Sequence, residues 1–262
     1  MFRHQSTTGR VVSQLLVVVL LLVLMLPLLL VVRESLKGEG WRNYVEVVAD
    51  TPFVRFFLNS LVIAGSTVAV VTAVAMAAAY GMVVLRAAFG RTSQLAIVAG
   101  LALPGMALTV PLFVTVQRLG LFDSPIAVIL PLSGLAVPFG VLVARNYLTG
   151  IPGEIHEAAR LDGAGAWQLF ARIVVPLARP IMAVIVIFTF LAAWNEYFLP
   201  LLFLQEHSAQ VVTQIPGYFQ SERHIDLPKV FAANLLISLP IVALYLVFQR
   251  QVRAGFLAGA IK

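Results

Sequence analysis

The sequence predicts an all-α membrane protein crossing the bilayer six times. Three observations predict it. Of the 262 residues, 60% are hydrophobic and only 11% charged, where a soluble domain carries about a quarter charged residues. Six apolar stretches reach the roughly 20 residues that a helix needs to cross a hydrocarbon core. No stretch alternates with the two-residue period of a transmembrane β-strand. The 18 Lys and Arg and 12 Asp and Glu are too few to coat a soluble globule, which excludes a soluble enzyme, a disordered region and a coiled coil.

Residues 1–10 form a short N-terminal tail holding Arg3 and Arg10, and residues 11–262 form one transmembrane domain. The first span, 11–32, exceeds a signal-peptide core and lacks an A-x-A site, so it is read as a retained helix. The second, 56–85, is long enough to tilt. Its Ala73, Ala77 and Gly81 recur every four residues and suit close helix packing. The third, 95–116, contains Pro104 and Pro111, and the fourth, 125–144, contains Pro131 and Pro138. Prolines there free backbone carbonyls, serving either functional bending or a static kink. A loop at 145–179 leads to the fifth span, 180–204. The sixth, 230–248, is short and carries Pro240.

Six spans put both termini on one side. With the N-terminus cytoplasmic, that side holds eleven of the 18 Lys and Arg. Positive residues gather inside, so both termini are expected in the cytoplasm of a cell-membrane protein. The basic balance therefore reports orientation. No Lys/Arg-aromatic stripe points to nucleic acid.

The missing motifs matter as much. There is no cysteine, and the four histidines are scattered, so disulfides, thiolate chemistry and a metal site are not expected. No G-x-x-x-x-G-K-[ST] loop or G-x-G-x-x-G turn is present, so no nucleotide or other cofactor is expected on this chain. Within the spans Glu196 is the single ionisable residue, whereas a proton-driven carrier usually has several. Any energy source therefore belongs to another subunit. Asn195 and Glu196 fit a translocation path or outer gate. That reading is preferred to an interfacial anchor flanked by Trp194 and Tyr197, because a carboxylate within a span should face the bundle or water. Asn59, Asn234 and Gln117 are either path residues or interhelical hydrogen-bonding groups.

The 145–179 loop is the most informative segment. Ile151-Pro152-Gly153-Glu154 reads as a helix start, and Asp162-Gly163 as a helix end. A second helix over 166–174 places Trp167, Phe170, Ile173 and Val174 at helical spacing, an aromatic side able to pack on the bundle. Pro176 is expected to end it. The pair reads either as a bent element across the mouth of the bundle or as an amphipathic loop on the membrane surface. In the first reading Ala158 and Ala159 admit a close neighbour and Glu157 offers it a carboxylate.

Glu157-Ala158-Ala159, then Gly163, Ile173 and Val175-Pro176 resemble the EAA motif of permease subunits in binding-protein-dependent ABC importers. The longer run Ile151-Pro152 through Pro176-Leu177 and Pro180 is similar to the carbohydrate, maltose-permease-G-like branch. So are Trp41-Arg42-Asn43-Tyr44, Leu58-Asn59-Ser60, Gly120-Leu121-Phe122-Asp123, Trp194-Asn195-Glu196 and the closing Gly255–Lys262. Val175 stands where the motif usually has leucine.

The resemblance implies a type I, MetI-like permease fold and transport of a carbohydrate handed over by an extracytoplasmic binding protein. It implies a second, homologous permease subunit and two copies of an ATP-binding subunit, which hold ATP and magnesium. Glu157, Ala158, Ala159, Asp162 and Gly163 would form the coupling helix that docks on the ATPase, and Gly259 and Lys262 a tail contact with it. From the residues alone, an ATPase-independent carrier or membrane scaffold stays open beside this reading.

Overall fold

A computed structural model describes residues 7–87, 90–102, 104–221 and 224–260. Twelve α-helices run along them in order: α1 Thr7–Ser35, α2 Arg42–Ala49, α3 Phe53–Val83, α4 Gly90–Ala102, α5 Thr109–Arg118, α6 Ile126–Thr149, α7 Gly153–Leu161, α8 Ala166–Leu169, α9 Val175–Leu177, α10 Arg179–Trp194, α11 Phe198–Phe203 and α12 Leu227–Ala260. Among the described residues the sole β-type pairing is the isolated Gln220–Ile225 bridge. Four helical stretches are each long and apolar enough to cross a membrane: Val11–Ser35, Phe53–Val83, Ile126–Thr149 and Leu227–Gln249. Two bent pairs, Gln94–Ala102 with Gly105–Arg118 and Ala166–Leu177 with Arg179–Trp194, bring the candidate crossings to six.

The spans differ from straight rods in two places. Gln94–Ala102 and Gly105–Arg118 meet at 92°, so the 95–116 stretch is two half-helices. Pro104 has ψ 122°, an extended value, and a 3-10 turn at Gly105–Leu108 follows it. A proline without an N–H and with extended backbone cannot continue the helical ladder. Pro131 and Pro138, by contrast, lie inside an unbroken α6, which runs past the expected end at 144 to Thr149. The 180–204 stretch stops at Trp194 and resumes as α11.

The contacts divide the chain into two compact units, Met1–Phe53 with Ile215–Ser238 and Val54–Gln214 with Leu239–Lys262. In the first, α1 is apolar on every side and none of its membrane-length window is buried. Its C-terminus is closed by Asn43, 2% exposed, whose side-chain amide donates to the carbonyls of Ser35 at 2.9 Å and Lys37 at 2.8 Å. A single side chain thereby satisfies two carbonyls of the helix end and the turn beyond it. The short helix α2, hidden to a hydropathy scan, carries Glu46. That carboxylate meets Lys229 at 2.8 Å and Arg42 at 3.0 Å. The hydrogen bond from the Lys229 ammonium holds the Glu46 carboxyl below its ordinary pKa.

The second unit packs α3, α6 and α10 around Val71, Ala75, Met76, Ala79, Val141, Ala144, Leu148 and Ile185. Gly140 lets α6 lie against α3, since a Cβ there would come within 3.0 Å of the Ala75 Cβ. Small residues thus do set the approach, but through Ala75 and Ala79, both fully buried. The expected stripe is not the packed one: Ala73 and Ala77 lie on the exposed side of α3. The N-terminal end of α3 grips a connecting loop. Asn59 donates its amide to the carbonyls of Ser208 at 3.0 Å and Gln210 at 2.8 Å, and Ser60 Oγ accepts from the Val212 N–H at 2.9 Å.

Candidate functional site

The 145–179 loop folds as a bent helical element under α3 and α6. Helix α7 begins after Pro152, which has extended ψ, and carries Glu154 in its first turn, where an acid is favoured by the helix dipole. It ends where Asp162-Gly163 predicts. Gly163 has φ +85°; its N–H reaches the Arg160 carbonyl and the Ala164 N–H the Ala159 carbonyl, both at 3.0 Å. That pair of bonds is a Schellman closure, which needs a left-handed residue at the position after the cap. A Cβ on Gly163 would touch nothing within 4 Å, so the glycine is required for its backbone angle and not for space.

The rod that follows, Ala166–Leu177, contains a π-turn at Phe170–Val174. The rod ends at Leu177, one residue past Pro176, close to where the proline predicts. In the π-turn the Val175 N–H bonds to the Phe170 carbonyl, one residue further back than in an α-helix. The widened turn accommodates a proline that would otherwise break the ladder. The chain then turns by 75° into α10.

Three hydrogen bonds tie this element to the bundle. The Tyr80 hydroxyl donates to the Ala166 carbonyl at 2.8 Å, the Tyr147 hydroxyl to the Leu177 carbonyl at 3.1 Å, and the Arg160 guanidinium to the Val84 carbonyl at 2.9 Å. The last bond places a cation on a carbonyl at the α3 C-terminus, where helix carbonyls lack partners and the dipole favours positive charge. Apolar packing adds to it. Ala159, Leu169 and Val174 are buried with Leu148, Tyr80 and Ile181, and Phe170 packs on Tyr80 with ring centroids 5.0 Å apart. The alternative of a loop lying loosely on the membrane surface does not match these ties.

The motif residues divide between two faces. Glu157, Ala158, Asp162 and Gly163 face outward. Ala159 faces the bundle and is 7% exposed, so it seats the helix and does not present itself to a neighbour. Trp167, expected on the packed aromatic side, is 74% exposed, and Leu161 is 88% exposed. Two large apolar side chains therefore stand exposed on the same bent element as Glu157. Sequence spacing missed them because helical periodicity identifies a face without saying what covers it. Such exposed apolar residues beside charged ones mark interaction surfaces. The tail residue Lys262 lies outside the described residues, as does the side-chain environment at Gly259.

The polar residues of the spans are used inside the fold. Glu196 sits in the break after Trp194 and is partly buried. Its Oε1 accepts from the N–H groups of Phe198 at 2.9 Å and Leu199 at 3.0 Å, so the carboxylate caps α11. The exposed Asn195 donates to the Leu191 carbonyl at 2.9 Å. Asn234 donates to Val230 of its own helix at 3.0 Å, and Asn59 holds the loop described above. Among the described residues no group of three or more His, Asp and Glu side chains could hold a metal ion.

Known proteins share this organisation. Residues 69–257 match the family model of the binding-protein-dependent transport system inner membrane component. The diacetylchitobiose uptake system permease protein NgcG of Streptomyces coelicolor is 30% identical over 96% of this chain and 88% of its own length. The trehalose/maltose transport system permease protein MalG of Thermococcus litoralis is 31% identical over 84% of this chain and 80% of its own. In fold, a crystal structure of a bacterial ABC transporter involved in the import of the acidic polysaccharide alginate superposes with TM-score 0.78, at 20% identity, over 95% of this chain and 99% of that one. The carrier and scaffold alternatives give way to this match, which brings an ATPase and a binding protein as partners. The chain belongs to the binding-protein-dependent transport system inner membrane components, as a multi-pass permease subunit of an ABC importer and not an enzyme.

Proposed function

We propose that this permease moves a carbohydrate, received from an extracytoplasmic binding protein, through a path shared with a second, homologous permease subunit. Two copies of the ATP-binding subunit, which carry the ATP and magnesium, drive it. The outward face of α7 is the docking surface for one of those ATPases: Glu157 meets a basic residue, while Ala158, Leu161 and Trp167 fill an apolar cleft. Asp162 and Gly163 end the helix at that surface, Ala159 fixes it from behind, and Gly259 and Lys262 reach the ATPases along the tail. Both termini are cytoplasmic. The observation that carries the coupling role is the triple tie of Tyr80, Tyr147 and Arg160, which makes the docking face continuous with α3 and α6.

Of the polar pathway candidates, the Asn195–Glu196 break is the one assigned here to an outer gate, since its exposed Asn195 and partly buried Glu196 interrupt a span. Asn59 and Asn234 serve the fold, since their amides are engaged by backbone carbonyls. The carbohydrate assignment rests on relatives named for diacetylchitobiose and for trehalose and maltose. Purification of the chain through a tag tests the docking surface. The ATP-binding subunit should co-purify with the native chain and be lost from Glu157→Arg and Leu161→Glu variants that reach the membrane at normal levels. Retention of the ATPase by both variants would refute the docking face. A thermal-shift screen of sugars on the cognate binding protein tests the substrate class.

A further inference from the structure

A second surface of the same element adjoins the docking face, the two sharing Glu157. Between the end of α3, the end of α6 and the inner flank of α7 lies a cavity of about 430 Å³, within the size range of ligand sites. Leu148 and Ile151 contribute apolar walls, and Arg86, Arg160, His156 and Glu157 the polar ones. His156 is 8% exposed, and its Nδ1 has no hydrogen-bond partner among the described residues. A buried polar atom left unpaired is costly and calls for a partner.

Arg86 adds an independent sign. It has φ +50°, a left-handed backbone angle that is strained for a non-glycine residue. A glycine would adopt it freely, yet the position carries a guanidinium at the rim of the cavity. Non-glycine residues in such conformations concentrate at ligand clamps and switch regions. Arg86 has no ion-pair partner among the described residues, and Arg160 spends one N–H on the Val84 carbonyl. Two guanidiniums and an unpaired imidazole nitrogen thus face one carboxylate, that of Glu157. The balance favours an anion with several acceptor oxygens, which suits arginine's planar fork of donors. The cavity also lies where the membrane-length stretches Phe53–Val83 and Ile126–Thr149 end, and the end of a span is where a lipid headgroup would meet it.

We propose that this cavity is a binding site for a phosphate group, supplied by an anionic phospholipid headgroup or by a free phosphate. Arg86 and Arg160 bind the oxygens and His156 Nδ1 hydrogen-bonds to them. The site is separate from the path through the membrane and does not depend on which sugar is carried. Because α7 forms one wall, occupancy bears directly on the seat of the docking helix.

The full chain, labelled with ¹⁵N-histidine and placed in phosphatidylcholine nanodiscs, tests this. The His156 resonance, assigned by its loss in His156→Asn, should move saturably with inorganic phosphate if free phosphate is the ligand. It should move only when phosphatidylglycerol joins the bilayer if the headgroup is. Either response should weaken about tenfold or more in Arg86→Gln, as the loss of one charge-assisted hydrogen bond implies, and survive in Arg86→Lys. Arg118→Gln, remote from the cavity, should respond as the native chain does. A resonance unmoved by both probes would overturn the proposal. So would a response that Arg86→Gln leaves intact, or one that appears only on adding the ATP-binding subunit, which would mean that an acidic side chain of that partner fills the cavity.

Discussion

Gly163 and Glu46 each place a measurable consequence on one residue. At Gly163 a side chain meets open space, so the penalty of substitution is the left-handed angle alone. Gly163→Ala should destabilise the end of α7 by about 1–2 kcal/mol. Gly163→Asn should cost less, because asparagine visits that conformation more readily. Transport activity at equal membrane levels should therefore rank glycine, asparagine, alanine, with proline lowest; equal activity for alanine and glycine would contradict the Schellman assignment. Glu46 contributes through its deprotonated form, since the Lys229 ammonium lowers its carboxyl pKa. The sign follows: its stabilisation is complete above the unfolded carboxyl range and is lost as pH falls through the lowered value. Glu46→Gln should remove that acid-side loss from a melting profile of the purified protein taken against pH. At this scale the sequence was legible where chemistry is local. Asp162-Gly163 marked a helix end, and the structure closes it there. The inward turn of Ala159 was not legible, because a three-residue motif does not reveal which of its members faces the bundle.

Helices and their breaks carry the next set of expectations. The hydroxyl of Tyr80 is one of three ties between the bent element and the bundle, and Tyr80→Phe removes that bond while keeping the ring on Phe170. The loss is about 0.5–1.5 kcal/mol. Expression should be unchanged and sugar uptake per ATP hydrolysed should fall, measured in proteoliposomes. Glu196 separates two roles in a similar way. Glu196→Gln keeps an acceptor oxygen for the Phe198 and Leu199 N–H groups, whereas Glu196→Ala loses the cap, at about 1 kcal/mol. If capping is its whole contribution, glutamine transports normally and alanine does not; a required charge would impair both. The broken spans were not legible in the sequence, although both lie in stretches that hydropathy finds. A hydropathy window sums apolar character without direction, so it cannot distinguish one rod from two half-helices meeting at 92°. Nor does proline count settle it: Pro104 begins a new element, while Pro131 and Pro138 sit inside an intact α6. What differs is whether neighbouring helices and local adjustments re-satisfy the freed carbonyls, a tertiary property.

For the whole chain, the absence of cysteine makes orientation directly testable. Single substitutions Glu157→Cys and Glu206→Cys should react with a membrane-impermeant maleimide from opposite sides. In intact cells the Glu206 site should label, and in inverted vesicles the Glu157 site. The reverse pattern would invert the proposed topology. Composition made the multi-span architecture the most legible level, because the bilayer imposes length and polarity on every span.

One helix joins the two ends of this scheme. Unbroken over 31 residues, α3 is about 45 Å long at 1.5 Å per residue. Near one end it holds the bent element through Tyr80, and near the other it clasps the 208–212 loop through Asn59 and Ser60. A single stiff strut so fastened obeys thermodynamic symmetry: coupling between two sites has the same free energy read in either direction. In the proposed topology that loop lies on the side of the delivery protein, so whatever bias nucleotide closure exerts on it must be returned, in equal measure, to the affinity of the engine for its fuel.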